Sequence, residues 1–146
     1  MKYVLIGVVV LWIAYDVGSG ILMGLTKARH EQLAAMPMRD LLETVAENQK
    51  RKVGDELILH SVLTDAYARS DKLVHNVKLT RRTKEEAQAT WSRGWRSMTE
   101  YKLAKTTCRD SRLRLLLARG ATVVYRISDK NGDFFLQIPI REPQCG

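Results

Sequence analysis

A chain of 146 residues, 45% hydrophobic and 27% charged, is long enough for one core of ordinary size and too apolar to be disordered. Its net charge of +8 turns it toward anionic headgroups, an acidic partner or nucleic acid without choosing among them. No internal repeat or low-complexity tract is visible, which excludes solenoid and fibrous classes.

From Tyr3 to Leu25 the only formal charge is Asp16. About 20 helical residues cross a bilayer core, so the run predicts a transmembrane anchor over residues 1–26. The competing readings are a buried soluble helix and, ahead of it, a cleaved signal peptide, with Lys2 as its basic start and Gly18 and Gly20 at the small positions of a cleavage site. On a helix Trp12, Asp16, Gly20 and Gly24 share one stripe. Gly20-x-x-x-Gly24 is the spacing that lets membrane helices approach closely. A carboxylate in hydrocarbon costs ~2.5–3.5 kcal/mol and normally faces protein or water. Asp16, Gly20 and Gly24 are therefore the candidate packing face, toward another membrane protein or a second copy of the anchor. The plainer reading is that glycine is common in membrane helices and Asp16 is tolerated off-centre. Lys27 and Arg29 follow the run, and their bias alone would keep the remainder in the cytoplasm.

Residues 27–37 read as a juxtamembrane linker and 38–146 as a soluble domain. Met38, Leu41, Leu42 and Val45 carry the helical period, and the charged run Glu47–Lys52 with Gly54 ends that helix. ELILHSVLTDAYA and KLVHNVKLT, joined at Ser70-Asp71, predict a β-hairpin. Thr83 and Glu86 form a capping box that starts a long helix to about Thr106. Ala87, Trp91, Trp95 and Met98 on its one face are expected to cover the sheet. A short helix from Asp110 to Arg119 is closed by Gly120. ATVVYRIS and DFFLQIPI flank Asn131-Gly132, a strong hairpin signal. Val123, Tyr125 and Ile127 share one face, as do Phe134, Leu136, Ile138 and Ile140. The expected fold class is α+β: a transmembrane helix, then helices laid on a four-stranded antiparallel sheet in the order α-β-β-α-α-β-β.

Cys108 and Cys145 have neither metal-site nor redox-motif spacing. They are either two free thiols or one disulfide, and pairing, the favoured reading, implies an oxidising compartment. The stretch from Cys108 through Leu113, Leu116-Leu117, Gly120-Ala121, Val123-Val124-Tyr125, Asp129 and Gly132 to Cys145 resembles the C-terminal half of small uncharacterised bacterial cell-envelope proteins. Met36-Pro37 and the region Leu57–Thr80 match their N-terminal half loosely. The resemblance implies export and a bond between the cysteines, and it implies no activity.

No catalytic, metal or cofactor site is expected. His30, His60 and His75 lack neighbours at ligand spacing and read as structural or surface residues. Asp129-Lys-Asn-Gly-Asp133 places its glycine too early for a calcium loop and has no bidentate Glu. Arg81, Arg82, Lys84, Arg112 and Arg114 form the candidate basic interaction surface, for lipid headgroups or a protein, with nucleic acid disfavoured. The expected function is non-enzymatic. The chain would be a single-pass inner-membrane protein with a periplasmic domain that binds another envelope component, of exclusion or immunity type (superinfection exclusion included) or as an accessory subunit of an envelope machine. The alternatives are a secreted protein released by signal cleavage, and a cytoplasm-facing basic module that recruits nucleic acid or an acidic protein.

Overall fold

A computed structural model describes residues 26–58, 60–90 and 94–146. The chain divides into two units, Met1–Met36 and Pro37–Gly146. In the first, residues 26–35 are helical. No helix among the described residues is long and apolar enough to cross a membrane. Residues 1–25 of the expected anchor, with Asp16, Gly20 and Gly24, lie outside the described residues.

The second unit opens with helix α1 (Met38–Lys50) behind Pro37, whose fixed φ suits a helix start. Leu41, Leu42, Val45, Ala46 and Gln49 are its buried face, as the apolar period requires. Strands β1 (Ser61–Arg69) and β2 (Lys72–Leu79) form the first hairpin. Helices α2 (Lys84–Ala89), α3 (Trp95–Arg109) and α4 (Ser111–Ala118) follow, then strands β3 (Thr122–Ser128) and β4 (Phe134–Ile140). A 3₁₀ turn, Glu142–Cys145, ends the chain.

The sheet order is β1-β2-β3-β4. Both hairpins are antiparallel, but β2 and β3 pair in parallel, with Leu73 opposite Val123 and Val77 opposite Ile127. The sheet is thus mixed, which corrects the wholly antiparallel sheet expected from the sequence. The reason is the crossover: the chain leaves the end of β2, runs back through three helices and starts β3 beside the start of β2. Register then puts Leu73, His75 and Val77 on one face with Val123, Tyr125 and Ile127, and with Leu136, Ile138 and Ile140. All nine are buried.

Phe134 departs from its expected face. β4 has an extra residue where Ser128 pairs with Phe134 directly after Ile127 pairs with Leu136. This bulge sends Phe134 to the opposite face, where it is 48% exposed. The long helix expected from Thr83 is likewise two helices. Gly94 caps α3 with φ of +80°, a left-handed conformation that ends one helical path and starts another. The buried face of α3 is Thr99, Leu103, Ala104 and Thr107, while Met98 is 54% exposed. Trp91 lies outside the described residues.

Two ties fasten the helices. Asp110 caps α4: its Oδ1 accepts from the amides of Arg112 (2.9 Å) and Leu113 (3.2 Å). Its Oδ2 accepts from Gln49 (3.1 Å) and Lys52 (2.7 Å), which joins the end of α1 to the α3–α4 corner. Burial pushes the Asp110 carboxyl up, but the Lys52, Leu113 and Gln49 donors outweigh it and hold the group below 3.8. The second tie is covalent. Cys108 and Cys145 are disulfide-bonded with their Cα atoms 5.5 Å apart, so the tail is fixed to α3.

In the core, His75 packs on Tyr125 with ring centroids 5.0 Å apart, and neither ring nitrogen has a hydrogen-bond partner. Thr107 Oγ1 donates to the Leu103 carbonyl at 2.7 Å. Its single proton is thereby committed, so the Tyr125 hydroxyl is the donor in the 2.7 Å bond between them. Burial pushes the Tyr125 hydroxyl up to about 12.

Two expected outcomes follow from this packing. Closing 37 residues with the bond makes Cys145→Ser less stable by up to about 4 kcal/mol in urea unfolding, and an unchanged midpoint would contradict the bond. Burial, assisted by nearby Lys52 and opposed by Asp110, holds the His75 imidazole at about 4 instead of 6.5. The unfolded chain therefore binds the extra proton first as pH falls. Stability is complete above pH 6.5 and declines by about 3 kcal/mol toward pH 4. His75→Leu should flatten that decline in pH-dependent urea midpoints, and an equal slope in the variant would refute the assignment.

Candidate interaction groove

The start of α2 is held from several sides. Thr83 Oγ1 accepts from the Glu86 amide (3.2 Å), and Glu86 Oε2 accepts from the Thr83 amide (2.8 Å), so the predicted capping box is formed. Asp129 reaches across from the second hairpin, accepting at Oδ2 from the Lys84 amide (3.0 Å). Its Oδ1 takes the amides of Asn131 (2.8 Å) and Asp133 (2.9 Å). Burial pushes the Asp129 carboxyl up, and the amides of Asp133, Lys84, Asn131 and Gly132 bring it below 3.8. Its oxygens are occupied by backbone donors, a turn-and-cap role rather than a cation site. Among the described residues no three His, Cys, Asp or Glu side chains are grouped to hold a metal ion.

Arg82 is fixed by its carbonyl, which accepts from the Lys130 amide (2.9 Å), and by Nη1, which donates to Thr90 Oγ1 (3.2 Å). Arg81 Nη1 lies 3.3 Å from His60 Nε2. The guanidinium can only donate, so the imidazole nitrogen is the acceptor in this contact. His60 is held at φ of +64°, and its carbonyl accepts from both the amide (2.9 Å) and the hydroxyl (3.1 Å) of Thr80.

These residues edge a groove of about 170 Å³ against the start of α3. Ile58, Leu79, Trp95 and Met98 make it apolar, and Arg81, Arg82 and Lys102 make its margin cationic. Trp95 is steadied by stacking on Phe135, ring centroids 6.3 Å apart. The exposed stripe of α3 continues from the groove through Tyr101, 61% exposed, to Lys105. Lys105 Nζ lies 5.8 Å from the Tyr101 ring centroid. There a second hollow of about 280 Å³ opens between α3, Arg114 and the disulfide-bonded tail. Met98, Tyr101, Lys102, Lys105 and Arg109 sit at helical spacings of three and four, along roughly 16 Å of helix. The single acidic residue of α3, Glu100, lies on the other side of the helix.

The structure therefore distributes the sequence-predicted basic residues. Arg81 and Arg82 reach the groove and Arg114 the second hollow. Lys84 contributes its amide to the Asp129 contact. Arg112 is committed elsewhere: its Nη1 donates to Asn48 Oδ1 (3.1 Å) and binds α4 to α1. Sequence reasoning named His60 only as a structural or surface residue, and it did not single out Lys102 and Lys105, which share these margins. The Met-x-x-Tyr-Lys-x-x-Lys spacing held the signal, but the expectation of a buried Trp–Met face concealed it.

No protein-family model matches the chain, and no curated relative matches it. Its fold is similar to a Pseudomonas aeruginosa protein thought to be secreted, with a TM-score of 0.58 and 18% identity over 73% of this chain and 91% of that one. It is also similar to EpsS, a pilotin of the Vibrio vulnificus type 2 secretion system, with a TM-score of 0.56 and 12% identity over 75% of this chain and 94% of that one. At these identities the likeness is one of fold.

Removing the Thr83 hydroxyl tests how the groove margin is held. Thr83→Ala should cost ~1 kcal/mol in urea unfolding. It should also broaden the Arg82 side-chain resonances in NMR spectra, whereas unchanged stability and spectra would show that the box does not set this margin.

Proposed function

We propose that this chain is a non-enzymatic accessory protein of the bacterial envelope, and that it works by holding a segment of another envelope protein along α3. The observation that carries the reading is the stripe itself. Exposed Met98 and Tyr101 are followed along the same stripe by Lys102 and Lys105, between two hollows. An amphipathic segment with apolar anchors and acidic flanks complements that pattern, since apolar burial gives affinity and the charges set register.

Two further observations support the envelope assignment. The Cys108–Cys145 bond suits an oxidising compartment and speaks against a cytoplasm-facing module. The fold is one that a type 2 secretion pilotin also uses. On this reading the apolar residues 3–25 tether the domain to the inner membrane, or are removed as a signal, and the domain faces the periplasm. An accessory subunit of an envelope machine is preferred over an exclusion or immunity protein because of that shared fold.

The test is photo-crosslinking of the full chain in its host, with a benzophenone amino acid in place of Tyr101. The expected product is an adduct with one envelope protein, lost on Met98→Asp while the far-UV spectrum and melting temperature are kept. Adducts with cytosolic proteins only, or an adduct indifferent to Met98→Asp, would contradict the reading.

A further inference from the structure

The sheet has a second face, which no helix among the described residues of Pro37–Gly146 covers. Its side chains follow from the register as four rows across the strands. Arg69, Lys72 and Thr122 make the first, and Tyr67, Val74, Val124 and Pro139 the second. Asp65, Asn76, Arg126 and Gln137 make the third, and Val62, Lys78, Ser128 and Phe134 the fourth. Neighbouring strands are ~4.8 Å apart and successive rows ~6.8 Å, so four cations are spread over an area about three strands wide. The one carboxylate, Asp65, directs Oδ1 to the amide of Ala66 at 2.8 Å.

Two shallow hollows lie on this face and share Arg126. One, of about 300 Å³, is bounded by Lys78, Asn76 and Phe134. The other, of about 330 Å³, is bounded by Arg69, Lys72 and Tyr67. The Arg126 guanidinium sits 4.9 Å from the centre of the Phe134 ring, so a fixed cation stands between the two hollows.

We propose that this face docks on anionic phospholipid headgroups. The pattern fits a two-dimensional array of phosphates, because the cations are dispersed over three rows instead of tracking one line. A sheet that binds single-stranded nucleic acid stacks bases on central aromatic rings. Here the two central strands offer Val74 and Val124 at the middle of the face, both no more than 5% exposed. The aromatic residues, Tyr67 and Phe134, are on the edge strands, and the amphipathic tyrosine ring favours the headgroup level of a bilayer. Docked this way, the domain presents its helices, and with them the α3 stripe, away from the lipid.

The test is amine-reactive labelling of the full chain in lipid nanodiscs, read lysine by lysine by mass spectrometry. Discs of phosphatidylcholine alone are compared with discs that also contain phosphatidylglycerol. Lys72 and Lys78 should label roughly threefold more slowly on the anionic discs, with Lys105 unchanged, and the protection should vanish at high salt. Arg126→Glu should abolish the protection. Arg69→Glu, at an exposed strand end, serves the same purpose if the first variant misfolds. Equal labelling on both discs would overturn the proposal. So would protection by an added single-stranded oligonucleotide on neutral discs with none from phosphatidylglycerol, which would assign the face to nucleic acid.

Discussion

The parallel join of β2 to β3 is the constraint from which the rest of the molecule follows. Two antiparallel hairpins can close side by side in either sense. Here they close with Leu73 beside Val123 and Val77 beside Ile127, and the chain must then cross the sheet between them. The crossover carries three helices, and it lies against the face that carries His75 and Tyr125. That arrangement gives the sheet one dry side and one side of charged and aromatic residues. It also brings Arg81 and Arg82, at the exit of β2, to the entrance of α3.

Fastening a helical crossover on so small a sheet calls for more than apolar contact. Asp110 serves as N-cap of α4 and as acceptor for Gln49 and Lys52, so that one carboxylate joins three helices. Asp129 does the corresponding work at the other end, linking the second hairpin to the start of α2. The disulfide then fixes the tail where the 3₁₀ turn meets α3 and α4. Both hollows along α3 are bordered by these fastened segments, a pre-organised margin that lowers the ordering cost of binding.

The local devices were legible in the sequence because their physics is local. The apolar period of α1, the Thr83–Glu86 box, the Asn131-Gly132 turn and the Gly120 stop each need only a few neighbouring residues. The relation between the hairpins was not legible, since alternation defines the two faces of a strand and says nothing of its direction beside a strand distant in sequence. The long helix expected from Thr83 took no account of Gly94, whose left-handed φ opens a separate helix at Trp95. Phe134 fitted the alternation of β4 until the bulge displaced it by one position. Of the basic residues, Arg112 could not be separated from Arg81 by sequence, because its engagement with Asn48 depends on the docking of α4 on α1.

A nuclear Overhauser spectrum of the labelled full chain tests the central constraint directly, since it reads strand direction without regard to function. The account predicts cross-peaks between Leu73 and Val123 and between Val77 and Ile127. Cross-peaks joining Leu73 to Ile127 and Val77 to Val123 would mean antiparallel closure. The helices would then need another route, and neither the groove nor the cationic face of the sheet would exist as described.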